Sequence, residues 1–140
     1  MKVSTKGRYG LRAIVDLAAY GGNGQVSLKS VAERQGLSEN YLEQLFASLK
    51  KSGLVRSIRG AQGGYMLSKP AQMITVGDVL RSLEGTLCPV DCIDIGMHPC
   101  CDKIDKCVTA PVWVKLRDKI DEVVDSITIA DLVQNYEKQD

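Results

Sequence analysis

The sequence predicts a mainly α-helical fold with one small β-hairpin, and three observations carry that expectation. Apolar residues recur at helical spacing along most of the chain. A single alternating run, Leu54–Arg59, is followed by the glycine-rich stretch GAQGG and a second extended run, Tyr65-Met66-Leu67. The 140 residues, 44% hydrophobic and 25% charged, suit one globular domain with an appendage.

The elements follow in chain order. From Thr5 to about Tyr20, Tyr9, Leu11, Ile14, Leu17 and Ala18 mark one helical face, and Gly21-Gly22 stops it. Arg8, Arg12 and Asp16 interrupt this stretch, so it is neither a signal peptide nor a membrane span. Ser27 is placed to cap a short helix with Leu28, Val31 and Ala32 inside, which Gly36 ends. Ser38 then caps a second helix, whose Leu42, Leu45, Phe46 and Leu49 fall at i, i+3, i+4 and i+7. Gly53 follows its last turn, where a positive φ costs glycine little.

Two short helices around a glycine-containing turn form the helix-turn-helix pattern, whose second helix enters the DNA major groove by its N-terminal end. The residues there that avoid the buried stripe are Ser38, Asn40, Tyr41, Glu43 and Gln44. They are short or planar polar groups that reach base edges and phosphates. An ordinary helical hairpin shares the spacing, but the hairpin that follows has the character of a wing. The glycines from Gly60 onward let backbone approach a duplex closely, and Arg59 suits the narrow, negative minor groove. GAQGG lacks the Lys-Ser/Thr and helix of a nucleotide-binding loop. Charge agrees: residues 1–69 hold eleven Lys/Arg against four Asp/Glu, and the remainder holds seven against thirteen.

Pro70 ends the wing. Thr75 caps a helix with Val76, Val79, Leu80 and Leu83 on one face and Asp78 as a capping-box partner; Gly85 ends it. A long helix is expected from near Val108, with Pro111 in its first turn. Its Trp113, Leu116, Ile120, Val123 and Ile127 are spaced 3, 4, 3 and 4, an a/d seam of two heptads. Little remains in the chain to cover that seam, so a homodimer through it is expected. Thr128 caps a short last helix to Tyr136. The expected division is a winged helix-turn-helix DNA-binding domain at 1–69, a connecting helix at 70–86, a cysteine-rich loop at 87–108, and the dimerisation helix with a short final helix at 109–140.

All five cysteines (Cys88, Cys92, Cys100, Cys101, Cys107) and the only histidine, His98, lie within 22 residues, LCPVDCIDIGMHPCCDKIDKCV. An odd count of clustered thiols argues against a closed disulfide framework and for metal ligation in a reducing compartment, so the cytoplasm is expected. Zinc, copper(I) and iron–sulfur all fit thiolates. Only Cys88-x3-Cys92 has zinc-knuckle spacing, and the irregular remainder suits a cluster better.

STKGRYGLRAIVDLA, LSENYLEQLFASLKKSGLVRSIRGAQGGYML and ITVGDVLRSLEG together resemble the regulators of iron–sulfur cluster assembly called IscR. Their superfamily also holds the nitric-oxide sensor NsrR and the cysteine-metabolism repressor CymR. The resemblance spans nearly the whole chain and implies a dimeric winged-helix repressor, not an enzyme, with palindromic duplex DNA as partner. It implies no membrane association and no small-molecule substrate. It further implies a 2Fe–2S cluster held by three cysteines and a histidine. Matching on KCVTAPVW assigns Cys107, Cys101 and Cys92, and the histidine position falls on Ala110, which cannot ligate. The fourth ligand stays open among His98, Cys100, Cys88, a carboxylate and a partner-subunit side chain. CymR-like members lack the cysteines. In IscR the acid matching Glu43 discriminates two classes of DNA site. A cluster-free or zinc-bound regulator of cysteine metabolism, or a nitric-oxide-sensing repressor, is the alternative the resemblance leaves.

Overall fold

The computed structural model describes residues 2–22, 24–61, 63–94 and 106–139. The first helix, α1 (Thr5–Gly21), starts where the Ser4 hydroxyl accepts from the Gly7 N–H. Two short helices follow, α2 (Leu28–Gln35) and α3 (Glu39–Lys51), capped by the hydroxyls of Ser27 and Ser38. Gly36 between them is left-handed at φ 68°, which makes the tight turn cheap. The predicted stripe of α3 is the centre of the core: Leu42, Leu45, Phe46 and Leu49 have no solvent exposure. Burying side chains of this size stabilises by about 1.5–3 kcal/mol each. They meet Ile14 and Leu17 of α1 and Val31 of α2.

The hairpin pairs β1 (Val55–Ile58) with β2 (Gly64–Leu67), antiparallel, with Val55 opposite Leu67 and Ile58 opposite Gly64. Val26 adds a one-residue third rung through two backbone bonds to Tyr65, of 2.9 and 2.8 Å. The wing glycines thus have an internal role that sequence did not suggest. A Cβ on Gly64 would stand 2.3 Å from the Val26 carbonyl oxygen, and one on Gly63 2.4 Å from that of Ile58.

After a 3-10 turn at Ala71–Met73, α4 (Val76–Glu84) opens with the full Thr75/Asp78 capping box. It lies along α1, where Gly7 and Gly10 leave room for Glu84 and Leu83. The Glu84 carboxylate accepts from both the N–H and the hydroxyl of Ser4, so α4 holds the start of α1. A second 3-10 turn, Asp91–Ile93, precedes α5 (Ala110–Ser126), with Pro111 in its first turn, and α6 (Ile129–Gln139) ends the chain.

The expected long helix stops one residue short of Ile127. That residue is extended, its carbonyl accepting from the Val76 N–H at 2.8 Å, and Ile129 N–H returns a 2.8 Å bond to the Ile74 carbonyl. Backbone pairing with the chain before α4 overrides the heptad pattern there. Thr128 caps α6 reciprocally with Asp131, as expected, and α6 runs beyond Tyr136. Among the described residues, no helix is long and apolar enough to cross a membrane.

Candidate functional site

Two surfaces bear the expected functional residues. On the first, α3 presents Asn40, Glu43 and Gln44 to solvent on the side opposite its buried stripe. Ser38 is exposed, and its oxygen is engaged as cap, accepting from the Tyr41 N–H at 3.1 Å. Tyr41 is half-buried, its ring edge-on to Tyr9 at 6.3 Å. It is therefore held in place by α1, whereas the other four residues stand clear. Arg59 and Gly60 are exposed at the wing tip, with Gly60 at φ 123°, a conformation that favours glycine. Lys50 Nζ donates to Ser57 Oγ at 3.0 Å and ties the end of α3 to the wing strand.

The second surface is the cysteine segment. Cys92 is half-buried in the 3-10 turn Asp91–Ile93, which buried Ile93 anchors and which packs against α5. Cys107, also half-buried, stands just before α5. Its thiol lies 3.2 Å from the Thr109 hydroxyl. That hydroxyl, with the backbone N–H groups of Thr109 and Ala110, pulls the Cys107 pKa below its ordinary value. Cys101, with His98 and Cys100, lies outside the described residues. Cys92 and Cys107 therefore stand on the two described borders of the segment 95–105.

Cys88 is placed differently. It lines an open groove of about 380 Å³ with Leu80, Ile120 and Val124, and its thiol donates to the Val90 carbonyl. Ile120 is ten residues down α5 from Ala110, about 15 Å along the axis at 1.5 Å per residue. Among the described residues no three His, Cys, Asp or Glu side chains converge as a metal site. Ala110, where the resemblance would have a histidine, is a buried methyl in the first turn of α5.

Helix α5 is sparsely covered for its length of 17 residues. Only Ala110 on it is buried; Trp113, Leu116 and Ile120 are half-exposed and Val123 is 57% exposed. Its inward side is held by charge. Arg81 of α4 donates to Asp125 at 2.7 and 3.0 Å and to Asp121 at 2.9 Å. Hydrogen bonding to Arg81 holds the Asp125 carboxyl below the usual range. One residue further along α4, Ser82 Oγ donates to the Ser48 carbonyl of α3 at 3.2 Å and accepts from Ser52 Oγ at 2.8 Å. A connected path therefore runs from the cysteine segment through α5 and α4 to the end of the reading helix.

Sequence reasoning had no signal for the ion pair between buried Asp16 of α1 and Arg34 of α2. Asp16 has no exposure, accepts from Arg34 through three bonds of 2.6–3.1 Å and takes a fourth from Gln35 Nε2 at 2.9 Å. The Arg34 guanidinium lies 3.9 Å over the Tyr20 ring, which is edge-on to Tyr136 of α6.

The Rrf2 family model, described as an iron-dependent transcriptional regulator, matches residues 3–135. The HTH-type transcriptional regulator CymR of Bacillus subtilis is 46% identical over 132 residues, covering 94% of this chain and 89% of that protein. The HTH-type transcriptional regulator IscR of Cronobacter sakazakii is 41% identical over 140 residues, covering all of this chain and 85% of its own. The solved structure of T. potens IscR superposes with a TM-score of 0.79 at 52% identity, over 99% of this chain and 90% of that one.

Proposed function

The chain belongs to the Rrf2 family of transcriptional regulators, and from that premise we propose that it is a dimeric, DNA-binding repressor that senses iron–sulfur cluster status through a 2Fe–2S cluster and controls cluster-biogenesis genes. The carrying observation is the collection of every thiol into the one segment that leads into α5. The donor set fits such a group: Cys92 and Cys107 are free, half-buried thiols, and the start of α5 favours the thiolate of Cys107. Cys92, Cys101 and Cys107 would hold the cluster, with the fourth ligand unassigned. When bound, the cluster supplies a cross-link between thiolates that depends on iron supply and oxidation.

The chain's own residues do the rest. Cys92 on its anchored turn and Cys107 at the start of α5 fix the two ends of the segment. Arg81 clamps α5 to α4 through Asp121 and Asp125. Ser82 carries the position of α4 to Ser48 and Ser52 at the end of α3. Ser38, Asn40, Glu43 and Gln44 face the major groove, Arg59 the minor groove, and the partly exposed seam Trp113, Leu116, Ile120 and Val123 receives a second copy. Ordering the segment thus favours one setting of the reading helices, and linkage makes the coupling reciprocal.

A second reading follows from the 46% identity to CymR, the global cysteine regulator of B. subtilis, whose structure is solved. On it, a cluster-free or zinc-bound form regulates cysteine metabolism. The Cys92→Ala variant separates the two, tested on an operator selected from random duplexes by the anaerobically purified protein. The cluster reading expects affinity to fall about tenfold or more, within the usual range of coupling energies. Unchanged affinity favours the CymR-like reading.

A further inference from the structure

We infer that Arg8 and Arg12, both within cation–π range of the ring of Tyr9, form a DNA-phosphate contact on α1, outside the reading helix and the wing. The inference rests on the reading above that the protein binds duplex DNA. Both guanidiniums lie over one ring, at 5.7 Å for Arg8 and 5.4 Å for Arg12 from its centroid. The same ring is packed edge-on against Tyr41, the third residue of α3, at 6.3 Å. Tyr9 therefore fixes two cations beside the end of the helix that enters the groove.

Both arginines are exposed, and neither has an ion-pair partner among the described residues. Arg12 is further oriented by Gln35, donating through Nε to its side-chain oxygen at 3.2 Å and through Nη2 to its carbonyl at 3.4 Å. A guanidinium held beside an aromatic ring keeps N–H groups available for phosphate oxygens. Such holding also lowers the entropy lost when that contact forms. A solvated surface arginine would need neither the shared ring nor the Gln35 brace. These residues lie in KGRYGLR, where Arg8 and Arg12 flank Tyr9 at −1 and +3.

The test is the salt dependence of binding to a labelled mixed-sequence duplex of roughly 30 base pairs, about three helical turns. The fluorescence anisotropy of full-length wild type, Arg8→Gln, Arg8→Lys and Lys119→Gln is followed against potassium chloride, with circular dichroism confirming that each is folded. Each lost phosphate contact removes about 0.9 from the slope of log K against log salt, so roughly 1.8 for a dimer. The expected result is that loss in Arg8→Gln, most of the slope kept in Arg8→Lys, and a wild-type slope in Lys119→Gln, whose charge lies on α5. A wild-type slope in Arg8→Gln overturns the α1 contact and leaves the DNA-binding reading intact. Equal losses in Arg8→Gln and Lys119→Gln also overturn it, since only bulk charge would then be felt. If the wild type binds no duplex at any salt, both this inference and the reading beneath it fail.

Discussion

Asp16 shows what one buried carboxylate demands of its neighbours. It sits on α1 amid apolar core residues, and two groups of α2, Arg34 and Gln35, satisfy it completely. Removing the cation strands a buried charge, which in comparable cases costs 3–5 kcal/mol. Arg34 is 28% exposed, so Arg34→Ala is expected at the lower end, about 3 kcal/mol, read from the midpoint of urea unfolding at constant m. A change under about 1 kcal/mol would show that the pair is not what fixes α2 against α1. Ser38 and Glu43 illustrate the opposite case at the same scale. Ser38 is engaged as a cap and yet exposed, and Glu43 stands free on the reading face. Their chemistry is decided by what arrives rather than by what surrounds them.

Most helices were legible because their starts are chemically marked: Ser27, Ser38, Thr75 and Thr128 cap through their side chains. The two strands were legible from alternation and glycine. Besides the Asp16–Arg34 pair, three features were not, each because it depends on partners distant in sequence. Ile127 continues the heptad but pairs by backbone with Val76, and Gly64 is required by the Val26 carbonyl. Cys88 shares a groove with Ile120, well down α5 from Cys107. The clamp between α4 and α5 gives a prediction at this scale. Arg81→Gln is expected to lower stability by only about 1 kcal/mol, since Asp125 and Asp121 are 46% and 42% exposed and solvent screens them. Arg81 depresses the Asp125 pKa, so the stabilisation is present above the unfolded value of about 3.9 and fades as pH falls through the lower folded value. Wild type and variant should therefore differ in thermal midpoint at pH 7 and converge toward pH 2. A constant difference across that range would remove Asp125 from the account. The same variant should narrow the gap in operator affinity between the iron-loaded and iron-free protein.

Across the whole molecule, charge and thiols are segregated. The basic half carries the reading helix and wing, the acidic half carries α5, and every cysteine lies between α4 and α5. The fold connects them through Arg81 and Ser82, and on the proposed reading a change of state in the segment reaches the DNA-facing surface by that route. The proposed function rests on a cluster at the cysteines, whose three thiolates would suit zinc as well. The most direct measurement is therefore the iron, acid-labile sulfide and zinc content of the protein purified without oxygen, together with its visible spectrum. The account predicts a red-brown protein with equal iron and sulfide, about two of each per chain. A colourless protein with about one zinc per chain, or with no metal, would contradict it.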